Sequence, residues 1–204
     1  MGKSHEERKI EIVEATLDLT AEHGIKQVTS QAIADRVGIA QPTVFPHFKT
    51  RDAIFAAVIG WIAENLFKAI SAGARPDDPP DEQLRLLIKR QLGFIGEHRA
   101  IPRVLFSDRL HLESPSLKAA LQQVMERYSK RVTELLRAGI ETGRFRGDLD
   151  AEQAARYVTA MIQGLVLRWS IYEFSFSLEK EADSIWLFLQ PALMAHKDNS
   201  VKEV

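Results

Sequence analysis

The chain has no cysteine among its 204 residues. Disulfides, thiol nucleophiles and cysteine-ligated zinc are excluded together, and a reducing compartment suits the composition. No stretch approaches the ~18 consecutive apolar residues that cross a bilayer. The opening segment MGKSHEERKIEIVEA is charged and carries no apolar signal core, so a cytoplasmic protein with no membrane partner is expected. A basic surplus is also missing: 27 Lys and Arg stand against 28 Asp and Glu, for a net charge of −1. No whole-chain positive field therefore draws it to nucleic acid. The phosphate-cradling GxxxxGK[ST], the dinucleotide GxGxxG, the nucleophile elbow GxSxG and the zinc motif HExxH are all absent. His98 and His111 lie thirteen residues apart with no carboxylate pattern joining them. No enzymatic activity, metal or cofactor is expected.

What is present is helical periodicity. Ile10, Val13, Leu17 and Ala21 recur at spacings of three and four and predict a helix over 6–23, stopped by Gly24. Thr29 caps a second helix that ends at Gly38. A short helix over about 40–46 follows, and Thr50 opens another that runs to about Ser71. AGARPDDPP (72–80), with three prolines in nine residues, is the strongest break in the chain. Helices are expected beyond it over 81–97, 101–111, 115–142, 151–175 and 179–195, with a frayed tail HKDNSVKEV. The fold class is all-α with about nine helices. A small N-terminal unit (1–50) precedes a larger helical body (51–204), and the helix over 51–71 connects them.

The segment TSQAIADRVGIAQPTVFPHF (29–48) has the layout of a helix-turn-helix. Ala34 is small enough to let two helices cross closely. Gly38 suits the left-handed backbone of the turn, and Ile39 and Val44 can plug the gap. The second helix would present Gln41, Pro42 and Thr43 at its N-terminal end, where recognition helices meet base edges. A Gln amide can pair with adenine, and a Thr offers a hydroxyl or a methyl. Pro42 is tolerated in a first turn and Pro46 forbids continuation. The surrounding charge is mixed. Five acids (Glu7, Glu11, Glu14, Asp18 and Glu22) fall on the first helix, whereas Arg36, Lys49 and Arg51 gather near the turn and predict a local positive face.

At these residues the sequence resembles the tetracycline-repressor (TetR) family of transcriptional regulators. IADRVGIAQPTVFPHFKTRDAIF, with the preceding AEHG and VTSQ, carries the resemblance over about residues 8–55. It implies a DNA-binding domain at the N-terminus and a ligand-binding and dimerisation domain after it. DNA contacts would then come from Thr29, Ser30, Gln41, Pro42, Thr43, Phe45, His47 and Lys49. Of these, Gln41, Pro42 and Thr43 would face bases, while Thr29, Phe45, His47 and Lys49 would face phosphates. Three positions depart from the family pattern: Ala40 lacks a capping hydroxyl, Phe45 lacks the usual tyrosine hydroxyl, and Pro46 replaces a polar or aromatic residue.

The helix over 151–175 is apolar on several faces, and the last helix carries Ala182, Ile185, Trp186, Leu189 and Leu193 at helical spacing. Two such helices suit a four-helix interface in a twofold dimer, with Ile162, Val166, Ile185, Trp186, Leu189 and Leu193 as its expected residues. Polar or aromatic residues within apolar helices are the candidates for a pocket: Phe94, His98, Arg103, Phe106, Met125, Tyr128, Arg168, Trp169 and Tyr172. The loop ETGRFRGDLD (141–150) reads as structural, with Gly143 left-handed and Asp150 capping the next helix.

The resemblance implies a dimeric repressor on a palindromic double-stranded operator, released by a largely apolar small molecule. Its two heads would enter successive major grooves about 34–36 Å apart. Two other readings share these residues: a structural or cell-division DNA-binding factor with no inducer, and a helical protein–protein module with a vestigial helix-turn-helix.

Overall fold

The computed structural model describes residues 3–195, so the tail HKDNSVKEV lies outside the described residues. It contains eight α-helices: α1 (His5–His23), α2 (Ser30–Val37), α3 (Arg51–Ser71), α4 (Pro80–Glu97), α5 (Ala100–Leu105), α6 (Pro115–Glu141), α7 (Ala151–Ile171) and α8 (Leu178–Leu193). Among the described residues there is no strand, only one antiparallel bridge between Phe145 and Met194.

Side-chain caps set most helix starts. Ser4 and Glu7 form a reciprocal capping box on α1, the Ser4 hydroxyl accepting from the Glu7 amide and the Glu7 carboxylate from the Ser4 amide. Thr29, Thr50, Ser114, Asp150 and Ser177 cap α2, α3, α6, α7 and α8. Gly38 closes α2 in the left-handed conformation (φ 75°, ψ 38°) that a side chain would resist. The buried α1 hydroxyls of Thr16 and Thr20 donate to the carbonyls four residues back, which satisfies them within the helix.

α3 connects the N-terminal helices to the rest, packing against α1, α4 and α6. Its composition and length would allow it to cross a membrane. Its apolar stripe of Ile54, Phe55, Val58, Ile62 and Leu66 is instead buried in the core. The body is an antiparallel arrangement in which α4 lies on α8, α6 lies on α7, and α3 covers α4 and α6.

Two elements differ from their sequence-based expectation. The stretch 101–111 divides into α5 and a π-helical turn (Arg109–Glu113) instead of forming one helix. α7 ends at Ile171, not 175, because Glu173 and Phe174 adopt left-handed backbones (φ 53° and 60°). Four contacts hold Phe174 in that conformation. The Phe174 amide donates to the Trp169 carbonyl at 2.8 Å. Its ring meets Trp169 edge-on at 4.6 Å, and the Arg99 and Arg103 guanidiniums lie over it at 5.1 and 5.2 Å.

The loop 141–150 anchors the body. Gly143 is left-handed (φ 70°) and Asp150 caps α7. Arg144 grips Asp81, in the first turn of α4, with two hydrogen bonds of 2.7 and 3.3 Å. Phe145 is 1% exposed and lies flat against Gly139, where any Cβ would overlap its ring. Gly139→Ala should therefore destabilise the fold by about 1–3 kcal/mol, the usual range for overpacking a filled core. Urea denaturation checks this, and an unchanged midpoint would show that the Phe145 ring moves aside freely.

Candidate functional site

Around the helix-turn-helix the backbone is tighter than its sequence suggests. Residues 41–43 form a 3-10 turn followed by further turns to His47, not an α-helix over 40–46. The amides of Thr43, Val44 and His47 bond three residues back, and only Phe48 reaches four back, to Val44. Pro46 has no N–H to give to residue 42 and its ring crowds that carbonyl. Ala40 provides no side-chain cap. The turn is instead pinned from below, with Ala34 and Val44 fully buried and Phe48 8% exposed.

This geometry leaves Pro42, Thr43, Phe45 and Lys49 exposed and Gln41 and His47 half-buried. Thr29 is exposed at the start of α2, where its hydroxyl accepts the Ala32 amide, and Ser30 beside it is half-buried. The positive face is smaller than the sequence suggests. Arg36 is held by Glu22 at 2.6 Å and lies 3.9 Å from Asp18, both on α1. Arg51 donates to the Ile25 carbonyl and lies over the Phe55 ring. Of the three basic residues near the turn, Arg36 alone forms an ion pair among the described residues, and Lys49 alone makes neither an ion pair nor a hydrogen bond there.

His47 lies against His5, ring centroids 4.4 Å apart, and its Nδ1 is buried without a partner. Burial, aided by the nearby charges of His5, Arg8 and Lys9, holds its pKa below the ordinary histidine value.

A second feature lies in the body. A cavity of about 230 Å³ is enclosed by α3, α4, α5, α6 and α7. Its wall is mainly aliphatic, including Ile59, Ile62, Val104, Leu121, Val124 and Ile162, and contains no Asp, Glu, Lys or Arg. The polar groups facing it are Gln91, Tyr128, Thr159, Gln163 and His111. Tyr128 donates to the Gln91 carbonyl oxygen, and burial pushes the phenol well above its ordinary pKa, so it is neutral.

Of the nine candidate pocket residues, Phe94, Phe106, Met125 and Tyr128 line this cavity, and the other five do not. His98 Nδ1–H donates to the Phe94 carbonyl at 2.7 Å, and the ring packs edge-on to Trp61. Arg103 turns to the carbonyls of Thr20 and Ala21 at the end of α1. Arg168 lies over the Tyr172 ring at 4.7 Å on the outer surface. Trp169 is buried beneath the α7–α8 loop, its indole N–H on the Phe176 carbonyl at 2.8 Å. Gln91, Thr159 and Gln163 also face the cavity, and neither aromatic character nor charge marks them in the sequence. The available signal was a glutamine at a buried position of α4, in register with Leu84, Leu87, Ile88 and Ile95.

The six residues expected at a dimer interface lie deep in the single chain. Ile162, Val166, Ile185, Trp186, Leu189 and Leu193 are all buried within a single chain, at 8% exposure or less. They form the seams of α7 and α8 with the body and offer nothing to a partner. The exposed large apolar residues on these helices are Tyr157, Leu167, Ile171, Leu187 and Phe188, with Tyr172 at the C-cap of α7.

A helix-turn-helix capped by Thr29 and turned at Gly38, joined through a long helix to an all-helical body with an apolar cavity, defines a helical DNA-binding regulator. Two family models match: bacterial regulatory proteins of the tetR family over residues 12–58, and the tetracyclin repressor-like C-terminal domain over 77–170. Together they take in more than half of the chain, which belongs to the TetR family of DNA-binding transcriptional regulators. It is similar to the nucleoid occlusion factor SlmA of Marinomonas sp., 22% identical over 97% of this chain and 100% of that one. Its fold is that of a transcriptional regulator from Saccharomonospora viridis solved with choline (TM-score 0.84, 22% identity, 94% of this chain and 100% of that one). The regulator FadR from Bacillus subtilis, solved with stearoyl-CoA, is also similar (TM-score 0.74, 21% identity, 88% and 96%).

If His47 meets a phosphate, that negative charge raises its pKa and binding takes up a proton. Operator affinity should then rise as pH falls from 8 to 6, by about tenfold for each unit of pKa increase. His47→Gln should flatten the profile. Equal slopes in the two proteins, measured by fluorescence anisotropy, would remove His47 from the contact set.

Proposed function

We propose that this protein is a ligand-released repressor that binds a palindromic operator as a homodimer. Residues 1–50 act as the reading head and 51–204 as the effector and dimerisation body, with α3 between them. Gln41, Pro42 and Thr43 face bases, and Thr29, Ser30, Phe45, His47 and Lys49 face the backbone.

The observation that carries this reading is that one segment serves both sites. α5 and the turn after it wall the cavity through Ile101, Val104, Leu105 and His111. The same segment grips the head: Arg103 donates to the last carbonyls of α1, and Arg109 pairs with Asp52 in the first turn of α3. Ser114 adds a 2.7 Å hydrogen bond to Asp52. A ligand that fits better with this segment displaced would shift the head spacing by its differential affinity for the two states. The aliphatic wall favours an apolar ligand. A cation such as the choline held by the Saccharomonospora viridis protein would meet no acid here, whereas an apolar chain, shorter than the stearoyl group held by the Bacillus subtilis protein, would find matching surroundings.

Dimerisation is assigned to the outer faces of α7 and α8. Leu187 and Phe188 on α8 are 70% and 72% exposed, and Tyr157 and Ile171 on α7 are 64% and 67% exposed, apolar surface that a second copy would cover. Phe188→Asp should give a monomer by sedimentation and weaken operator binding by about 100-fold or more, because the second head no longer adds avidity. A dimer that persists would place the interface elsewhere.

Footprinting the DNA around its own gene, with and without an organic extract of the host cell, tests the whole reading. A protected palindrome that the extract exposes is the expected outcome. Val124→Trp, which fills the cavity without touching the head, should bind the same site with unchanged affinity and no longer be released. No protection at low salt, where phosphate contacts are strongest, would overturn the proposal. Protection that no extract alters would favour a cell-division factor without an inducer, the second reading suggested by likeness to SlmA over nearly its whole length.

A further inference from the structure

Among the polar side chains facing the cavity, Gln91 is left half-used by protein contacts, and the half-buried Gln163 makes no side-chain hydrogen bond among the described residues. Gln91 is 8% exposed and lines the wall, yet its side chain makes a single hydrogen bond, the one it accepts from the Tyr128 hydroxyl. That bond sets the amide's orientation. A buried phenol needs an acceptor, and the Gln91 carbonyl oxygen is the one it has among the described residues. The Gln91 amide nitrogen is then turned away from Tyr128, and no described residue accepts its two N–H groups. That nitrogen is open to the cavity and not sealed within protein, so a ligand that supplies an acceptor gains a hydrogen bond there.

Two further features narrow the ligand. The wall has no Lys or Arg, and its one imidazole, His111, is engaged by the Leu105 carbonyl, so an ionised acid entering it would meet no permanent cation. An apolar cavity of about 150 Å³ takes benzene. By proportion, the cavity of about 230 Å³ holds roughly nine heavy atoms.

We propose that the Gln91–Tyr128 pair selects an uncharged, mostly apolar ligand of about this size that carries a neutral oxygen acceptor, a carbonyl or ether, seated against the Gln91 amide nitrogen. The inference rests on the reading of the cavity as the effector site and adds the chemistry that site recognises. Tyr128 acts as a positioning residue, since it holds the amide in the donating orientation, while Gln91 makes the contact.

The test uses the full-length protein and three probes of matched length: 2-nonanone, nonane and octanoate, titrated by calorimetry at pH 7.5. The ketone should bind about tenfold more tightly than the alkane, and octanoate should show no heat. Gln91→Leu should abolish the ketone's advantage and leave nonane unaffected. Tyr128→Phe keeps the ring in the wall but frees the amide to rotate, so it should reduce the ketone's advantage without abolishing it. It carries the test if circular dichroism shows that Gln91→Leu does not fold. Equal binding of ketone and alkane to the wild type, or a ketone advantage that survives Gln91→Leu, overturns the inference and leaves the cavity as a ligand site. Tighter binding of octanoate does the same. Failure of all three probes to bind overturns both.

Discussion

Arg109 reaches from the π-helical turn to Asp52 in the first turn of α3, while Ser114 satisfies the other carboxylate oxygen. These bonds hold the Asp52 carboxyl below its ordinary pKa, the Ser114 hydroxyl being the largest contributor. Arg51 and Arg109 both lie over the Phe55 ring, at 5.5 and 5.7 Å, so this cluster joins apolar burial to charge at one point. The rest of the molecule depends on it because the N-terminal helices are too few to bury a core alone. They close their core against α3 through Ile54, Phe55 and Val58, all at 1% exposure or less. The angle at which they present Thr43 and Lys49 is therefore set by whatever positions α3 and α5.

The same economy explains the cavity. α3 buries Phe55 and Val58 near its start, and one to two turns later Ile59, Ile62 and Leu66 line empty space. α5 is only six residues long, yet Val104 faces the cavity while Arg103 faces α1. A short element with a ligand wall on one side and a clamp on the other can move as a unit without unfolding either neighbour. The bodies of α4 and α8, tied by the Arg144–Asp81 pair and the Phe145–Met194 bridge, form the part against which such movement would occur.

Much of this was legible in local sequence. Thr29, Gly38, Thr50, Gly143 and Asp150 all act where short-range rules place them, because a cap or a left-handed turn depends on a few neighbouring atoms. Phe48 falls in the core by its position beside Val44. Other features were not legible because they depend on distant residues. Arg36 looks like a phosphate ligand until α1 brings Glu22 against it, and Arg103 looks like a pocket residue until the end of α1 meets it. Ile185 and Trp186 have the same stripe whether they meet a partner or their own chain, since periodicity reports burial and not what does the burying.

The sequence by itself determined the helical class, the capped helix starts at Thr29, Thr50 and Asp150, and the TetR-type head, since each follows from spacing, capping and turn chemistry within a few residues. The tertiary structure alone decided that the recognition segment is a 3-10 turn held from beneath by Val44. It also decided which arginines are already engaged, and that an apolar space remains among five helices with Gln91 facing it. Those outcomes arise where side chains far apart in the chain compete for the same volume and the same hydrogen bonds, and that competition is resolved only when the helices pack.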